Sequence, residues 1–411
     1  IRSYEIHYCF FITFLIYFIL GWKHIQPFHL FQILMEKGKK IINYFTVLGF
    51  FLILTFPMVN GYMQFIDEAE IVENRKLGEK PVFDINTLDN YTEKYNTYYS
   101  DNFSLRTNLI DFLNKSEYNV FGLSSKPGVV TAGTNGWFYA TKSKDYYENT
   151  ILYNKEELDR IQQELIQRNH WCESRGIKYY TVIVPNKMNI YPEYLPRTVF
   201  KKGKKSRYDQ LTGLDSGADI NIIGLKETLL NHKKDKYLLY QKVDDHWTDF
   251  GAFLGYQTIM KNVEKDFPEL KPQSLDEYTV SIELKDGNMV AMISLTDKFP
   301  ERFVKLTRKK LSSVLPGKKK GYKSDGAISA DQVEMVKVNP DGKPLKCLII
   351  RDSFSRAMMP FFNEHFQSIT YIHDSWRGGL RQDIIELEKP DVVMVIMLET
   401  HSNGPLTFPS F

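Results

Sequence analysis

Apolar positions follow three rhythms along the chain. Near the start they are almost unbroken, from Ile6 to Trp22 and again from Ile41 to Val59. The second run is about as long as a helix needs to be to cross a bilayer. Between about 61 and 120 the apolar and aromatic residues thin out. Tyr95, Tyr98, Phe103, Leu105, Leu109 and Phe112 recur at intervals averaging between three and four positions in a polar background, which predicts a helical lead-in. In "GTNGWFYA", Asn135-Gly136 is a tight-turn pair before strand-forming aromatics, so residues 133–140 read as a hairpin.

From Asn154 onward short apolar runs alternate with segments of helical period. The pattern predicts a helix capped by Asn154 and ended at Gly176, then a buried strand in "IKYYTVIVP". A second helix follows in "TDFGAFLGYQTIMKNVEKD", capped by Thr248. Further on come strands in "PLKCLIIRDSFS", "SITYIHD" and "PDVVMVIMLET", with a helix in "LRQDIIELEK". Strands alternating with helices imply an α/β fold with a mainly parallel sheet flanked by helices. Residues 264–343 break the alternation. They are polar, with clusters such as "PGKKKGYK", and read as an insertion containing some β-structure.

The charge pattern orients the apolar start. "MEKGKK" (35–40) precedes the second run, as in a signal anchor, and no small-x-small cleavage pattern follows. Residues 35–60 therefore read as an uncleaved anchor. Two arrangements fit what lies before it: translation from Met35 with 1–34 as upstream sequence, or two spans joined by a loop from Lys23 to Lys40. Both keep Lys37, Lys39 and Lys40 on the cytoplasmic side and put the chain after Asn60 outside the cytoplasm. Pro57 marks an exit from the bilayer.

Composition narrows the class. A chain of 411 residues that is 43% hydrophobic and 14% aromatic holds enough apolar surface for a large core. A net charge of +3 lacks the basic bias of a nucleic-acid binder, and the Lys201–Lys205 run reads as a solvated loop. Cys9, Cys172 and Cys347 show neither metal nor redox spacing, so buried free thiols are expected and no cofactor is implied.

Two stretches carry chemistry. "KVDDHWTDF" sets Asp244, Asp245, His246 and Trp247 at the mouth of a helix. "CLIIRDSFS" ends a central strand in Ser353, where α/β proteins place their reacting groups. Three readings fit. A metal site would use Asp244, His246 and Asp352. A capping loop would need only Thr248. A triad would have Asp244 orient His246, whose other nitrogen accepts the Ser353 proton, while Asp245 points to solvent or a backbone N–H. His401 is a rival base.

With these residues in view, the chain resembles the DHHW family of SGNH-hydrolase-like proteins, which includes the alginate O-acetyltransferase group. "DNFSLRTNLI", "GTNGWFYA", "VIVPNKMNIYPEYLP" and "KPDVVMVI" fall in family order around the two stretches, over about residues 65–400. The resemblance implies a permuted SGNH-like catalytic domain over 121–411, after the anchor and the 61–120 lead-in. It implies Ser353 as nucleophile, His246 as base and Asp244 as orienting acid. Lys187, Tyr191, Trp247 and Arg377 become candidates for binding sugar. The implied activity is O-acetyl transfer to an extracytoplasmic polysaccharide, with a membrane-bound O-acyltransferase as partner and acetyl source. A carbohydrate esterase and a non-catalytic polysaccharide-binding protein are the alternatives. Arg351 stands where SGNH enzymes have Gly, and the block supplying an oxyanion-hole Asn is not evident.

Overall fold

The computed structural model describes residues 27–68, 77–83, 88–215, 219–310, 313–323, 333–374, 380–407 and 410. Cys9 and Arg377 lie outside them. Two compact units emerge, residues 1–110 and 111–411.

In the first unit, helix α1 runs from Pro27 to Met63 and continues through Pro57, so the proline does not end it. The expected Lys23–Lys40 loop is helical from Pro27. Met35–Met63 is long and apolar enough to cross a membrane by length and composition. Within it the Thr46 and Thr55 hydroxyls donate to Ile42 O and Phe51 O, both at 2.8 Å. That removes unpaired polar groups from a segment suited to lipid. Helices α2 (Leu88–Asn102) and α3 (Arg106–Phe121) follow, parted where Leu105 takes a left-handed φ of 65°. The expected lead-in is therefore two helices, and the described residues 64–68 and 77–83 are not helical.

The second unit begins within α3 and continues with the hairpin β1 (Val130–Ala132) and β2 (Phe138–Ala140), joined through the Asn135-Gly136 turn, where both φ angles are positive. Helix α4 (Lys155–Glu173) begins in a capping box between Asn154 and Glu157. Strands β3 (Lys178–Val184) and β4 (Ile222–Gly224) follow, then helix α5 (Asp249–Asp266), with Thr248 Oγ1 accepting from Gly251 N. Next come the antiparallel pair β5 (Tyr278–Lys285) and β6 (Glu301–Arg308), and strands β7 (Leu315–Pro316), β8 (Glu334–Val338), β9 (Lys343–Arg351) and β10 (Phe366–His373). Helix α6 (Gln382–Glu388) and strand β11 (Val392–Leu398) complete the sheet.

Sheet order is β4-β3-β11-β9-β10-β8-β7, parallel from β4 to β10 and antiparallel beyond. Of the 264–343 stretch, only β5 and β6 stand apart, because β7 and β8 extend the main sheet. Both sheet faces are covered. Tyr180, Val182, Ile349, Met394 and Ile396 pack with α5 on one face. Tyr179, Ile183, Leu348, Val393 and Val395 pack with α4 and α6 on the other. This two-sided burial explains why the central strands read as solid apolar runs. Cys172 and Cys347 are buried free thiols.

Helix α5 enters the unit through a close backbone approach. A Cβ on Gly251 would stand 2.2 Å from Leu239 O, so no larger residue fits without moving backbone. Gly251→Ala is expected to cost about 1–3 kcal/mol, read as a lower urea midpoint of the full-length chain in detergent. A midpoint equal to that of the parent protein overturns this account.

Candidate active site

The turn after β9 is fixed by a carboxylate with no exposure to water. Asp352 caps the short helix Ser353–Ala357 by accepting Phe354 N at 2.9 Å. Its other oxygen accepts Leu398 N at 2.6 Å and faces His401 Nδ1 at 3.0 Å. Burial pushes this carboxyl up, but the hydrogen bond and charge of His401 and the two N–H groups prevail, and it sits below its usual range. Asp352 thereby ties the β9 turn to the end of β11 and leaves Ser353 at the C-terminal edge of the sheet. The Phe354 N–H is taken, so it is not free to stabilise an oxyanion.

Residues 239–248 form a loop closed on itself. Tyr240 and Trp247 make an antiparallel bridge, Gln241 N donates to His246 O at 3.1 Å, and Thr248 N to Leu239 O at 2.9 Å. Asp244 Oδ1 accepts His246 N at 2.9 Å and lies 2.7 Å from His246 Nδ1. Its Oδ2 accepts Asn288 N at 3.0 Å. With Nδ1–H donating to Asp244, the Nε2 atom is the acceptor, and it lies 2.9 Å from Ser353 Oγ. Burial raises the Asp244 carboxyl, but the His246 hydrogen bond and charge, with two backbone N–H groups, hold it well below the carboxylate range. Burial pulls the His246 imidazole down, yet the Asp244 hydrogen bond and charge, helped by Asp245 and Asp352, leave it above the ordinary 6.5.

The structure thus brings Asp244, His246 and Ser353 into one hydrogen-bonded line. It separates the metal-site set, because Asp352 turns away to Leu398 and His401. Among the described residues no group of three His, Cys, Asp or Glu side chains is placed to hold a metal ion. His401 pairs with Asp352 and, through Nε2, with Lys142 Nζ at 3.3 Å, and forms no hydrogen bond with Ser353.

The expected sugar-binding residues fare differently. Lys187 is buried, donating Nζ to Phe138 O, Lys242 O and Asp244 O. Burial lowers its ammonium to about 8 against the opposing charges of Asp245, Glu301 and Asp244. It braces the Asp244 loop from inside and has no face for a ligand. Tyr191 is also buried; its hydroxyl accepts Leu239 N at 3.0 Å and its ring lies 4.5 Å from that of Trp137. Trp247 is 1% exposed and donates Nε1 to Phe354 O at 2.9 Å, which rules out stacking on a sugar. It joins the His246 loop to the Ser353 turn from beneath, while the His246 ring rests 4.8 Å from that of Phe354. Asp245 is largely buried at the edge of a cavity beside His246, and its charge acts on Lys187. Arg377 lies outside the described residues.

Other supporting groups left little trace in the sequence. Glu301, on β6, accepts the N–H groups of Lys242 and Val243, the latter at 3.0 Å. Nothing in its surroundings signals this at a distance of 58 residues. The clamp by Asp352 was more accessible, since Asp before a Ser-x-Ser turn is a capping pattern.

Comparison with known proteins supplies the class. Residues 130–321 match the family described as SGNH hydrolase-like domain, acetyltransferase AlgX. The match takes in the His246 loop and ends before Ser353. The α/β fold described above is in keeping with that SGNH hydrolase-like match over residues 130–321. The probable alginate O-acetylase AlgJ of Pseudomonas fluorescens is 24% identical over 184 residues, 43% of this chain and 44% of that protein. The chain thus spans less than half the length of this curated relative. Bacillus cereus PatB1 with a sulfonyl adduct superposes with a TM-score of 0.50 at 17% identity, covering 69% of this chain and 97% of that one. A DHHW family protein from Eubacterium siraeum gives 0.45 at 17% identity, over 68% of this chain and 99% of that one. The O-acetyltransferase domain of Pseudomonas putida AlgJ gives 0.43 at 16% identity, over 67% and 92%.

Trp247→Phe removes the donor to Phe354 O and little volume. It is expected to destabilise the full-length chain by about 0.5–1.5 kcal/mol, seen in urea unfolding. An unchanged midpoint overturns the tethering role.

Proposed function

We propose that this protein is an O-acetyltransferase that acetylates an extracytoplasmic polysaccharide through an acetyl-Ser353 intermediate. The observation carrying this reading is the hydrogen-bonded line from Asp244 through His246 to Ser353. The alginate O-acetylase relatives favour acetyl as the group and a polysaccharide as its acceptor. The helix Met35–Met63 serves as a membrane anchor, with the second unit on the extracytoplasmic side, in the periplasm or at the cell surface. A membrane-bound O-acyltransferase supplies the acetyl group.

The chemistry follows from the proton positions. Ser353 Oγ attacks the acetyl carbonyl of the donor while its proton moves to His246 Nε2. Asp244 holds Nδ1–H and stabilises the imidazolium that results. Collapse of the tetrahedral intermediate breaks the bond to the donor's leaving group, which departs with the proton from Nε2. A sugar hydroxyl then gives its proton to Nε2 and attacks acetyl-Ser353, and Oγ recovers its proton as the new ester leaves.

Ser353→Ala and His246→Ala are each expected to lower the p-nitrophenyl acetate activity of the full-length chain at least about 10³-fold, because triad members act as a unit. Asp244→Ala is expected to cost about 10²-fold or more. Ser353→Ala retaining full activity sinks the nucleophile assignment. Free acetate exceeding glycan-bound acetate at saturating acceptor identifies an esterase instead.

The pH dependence has a definite sign. Protonated His246 cannot accept the Ser353 proton, so kcat/KM rises with pH through the His246 pKa. That midpoint should lie above 6.5, the ordinary imidazole value. In Asp244→Asn, burial acts without the carboxylate, so the midpoint should fall as the rate falls. A midpoint unmoved in Asp244→Asn contradicts the coupling.

A further inference from the structure

Two cavities border Ser353 and diverge in the residues beyond their shared edge. Both are lined by His246, Ser353 and Phe354. One is a cleft of about 510 Å³ whose remaining wall holds Gln241, Lys285, Phe303, Arg356 and the ion pair of Lys305 with Asp249, 3.2 Å apart. Arg356 is exposed and makes no hydrogen bond or ion pair among the described residues, so its guanidinium donors are available. The other, of about 380 Å³, is walled by Val129, Ala140, Met289 and Met292, with Lys142, Asp245, Asn288 and His401 at its polar side.

A transferase of the kind proposed above handles two unlike molecules at one serine. The first is an activated acyl compound whose transferred part is small and apolar. The second is a long, hydroxyl-rich chain. A wall of pliable methionines suits the first. An open cleft with several charged hydrogen-bonding groups suits the second.

We infer that acyl donor and glycan acceptor reach Ser353 through different openings: the acyl ester through the Met289–Met292 cavity, the sugar chain through the Arg356–Lys305 cleft. This rests on the acetyl-transfer reading. On the donor side, the bond from Ser353 Oγ to the acyl carbon forms as the ester C–O bond breaks, and the Ser353 proton passes by way of His246 to the departing alcohol. On the acceptor side, the sugar hydroxyl proton passes to His246 and on to Ser353 Oγ as the acyl–serine bond breaks. His246, common to both cavities, serves both halves.

The two half-reactions are read separately on the full-length protein. The burst of p-nitrophenol from p-nitrophenyl acetate reports acylation. Base-labile acetate on the cell's polysaccharide, in a deletion strain complemented with each variant, reports transfer. Met292→Trp should slow the burst at least tenfold. Arg356→Glu should lower glycan acetate at least tenfold more than it lowers the burst. Since Met292→Trp can disturb folding, Met292→Ala provides an independent measure, expected to raise the p-nitrophenyl butyrate to acetate burst ratio at least fivefold. A burst of parental rate in Met292→Trp, an unchanged ester ratio in Met292→Ala, or equal loss of both readouts in Arg356→Glu each overturns the two-opening arrangement. Glycan acetate that does not depend on Ser353 defeats the acetyl-transfer reading itself, and the burst and ester-ratio measurements still decide which opening the acyl ester uses.

Discussion

The buried carboxylate of Asp352 is the point on which the site's geometry turns. An ionised group without water must gather donors or give up its charge, and Asp352 gathers three, from Phe354 N, Leu398 N and His401 Nδ1. Those donors come from the turn itself and from the end of the neighbouring strand. The Ser353 turn therefore takes its position from the pairing of β9 with β11, which is the middle of the parallel sheet. The His246 loop reaches the same turn independently, through Trp247 Nε1 to Phe354 O. Ser353 and His246, 107 residues apart, meet because each is tied to Phe354 or its neighbour before they touch each other.

A rigid loop is needed for this, and it is built from its interior. Lys187 donates to three carbonyls, two of them in the Asp244 loop, while Glu301 accepts the N–H groups of Lys242 and Val243. The Lys242 and Val243 N–H groups and the Asp244 carbonyl are thus satisfied inside the protein by side chains from distant segments. The two charges offset each other under the loop. Burial raises the Glu301 carboxyl, against the two backbone N–H groups and the Lys187 charge.

The sequence carried the sheet clearly. Strands buried on both faces are continuous apolar runs, and Asn154 and Thr248 announced their helices by capping chemistry. Asp244, His246 and Ser353 were legible because carboxylate, imidazole and hydroxyl stood at strand and helix ends, where α/β folds expose side chains. What the sequence could not separate was a polar residue facing a cleft from one facing inward. Lys187 and Tyr191 follow a strand, as binding residues do, yet their long side chains turn back to satisfy the main chain and to pack on Trp137. Trp247 sits beside the imidazole in sequence but beneath it in space. The join of β7 and β8 to the main sheet was hidden for another reason: antiparallel edge strands are short, and residues 264–343 show no strong period.

Those short edges bear on how the protein survives outside its sheet's own interior. The sheet ends in β4, three residues long, on one side and in the two residues Leu315–Pro316 on the other. Proline offers no N–H to a neighbouring strand, and two or three residues give an intruding chain almost no ladder to continue. The long apolar strands β9 and β11 lie in the middle, each paired on both sides. Strand-by-strand polymerisation thus has almost no template at the edges of the seven-stranded sheet, and the edge of β5 in the separate pair, unpaired among the described residues and with Ile282 and Leu284 exposed, is the longer ladder open to another chain.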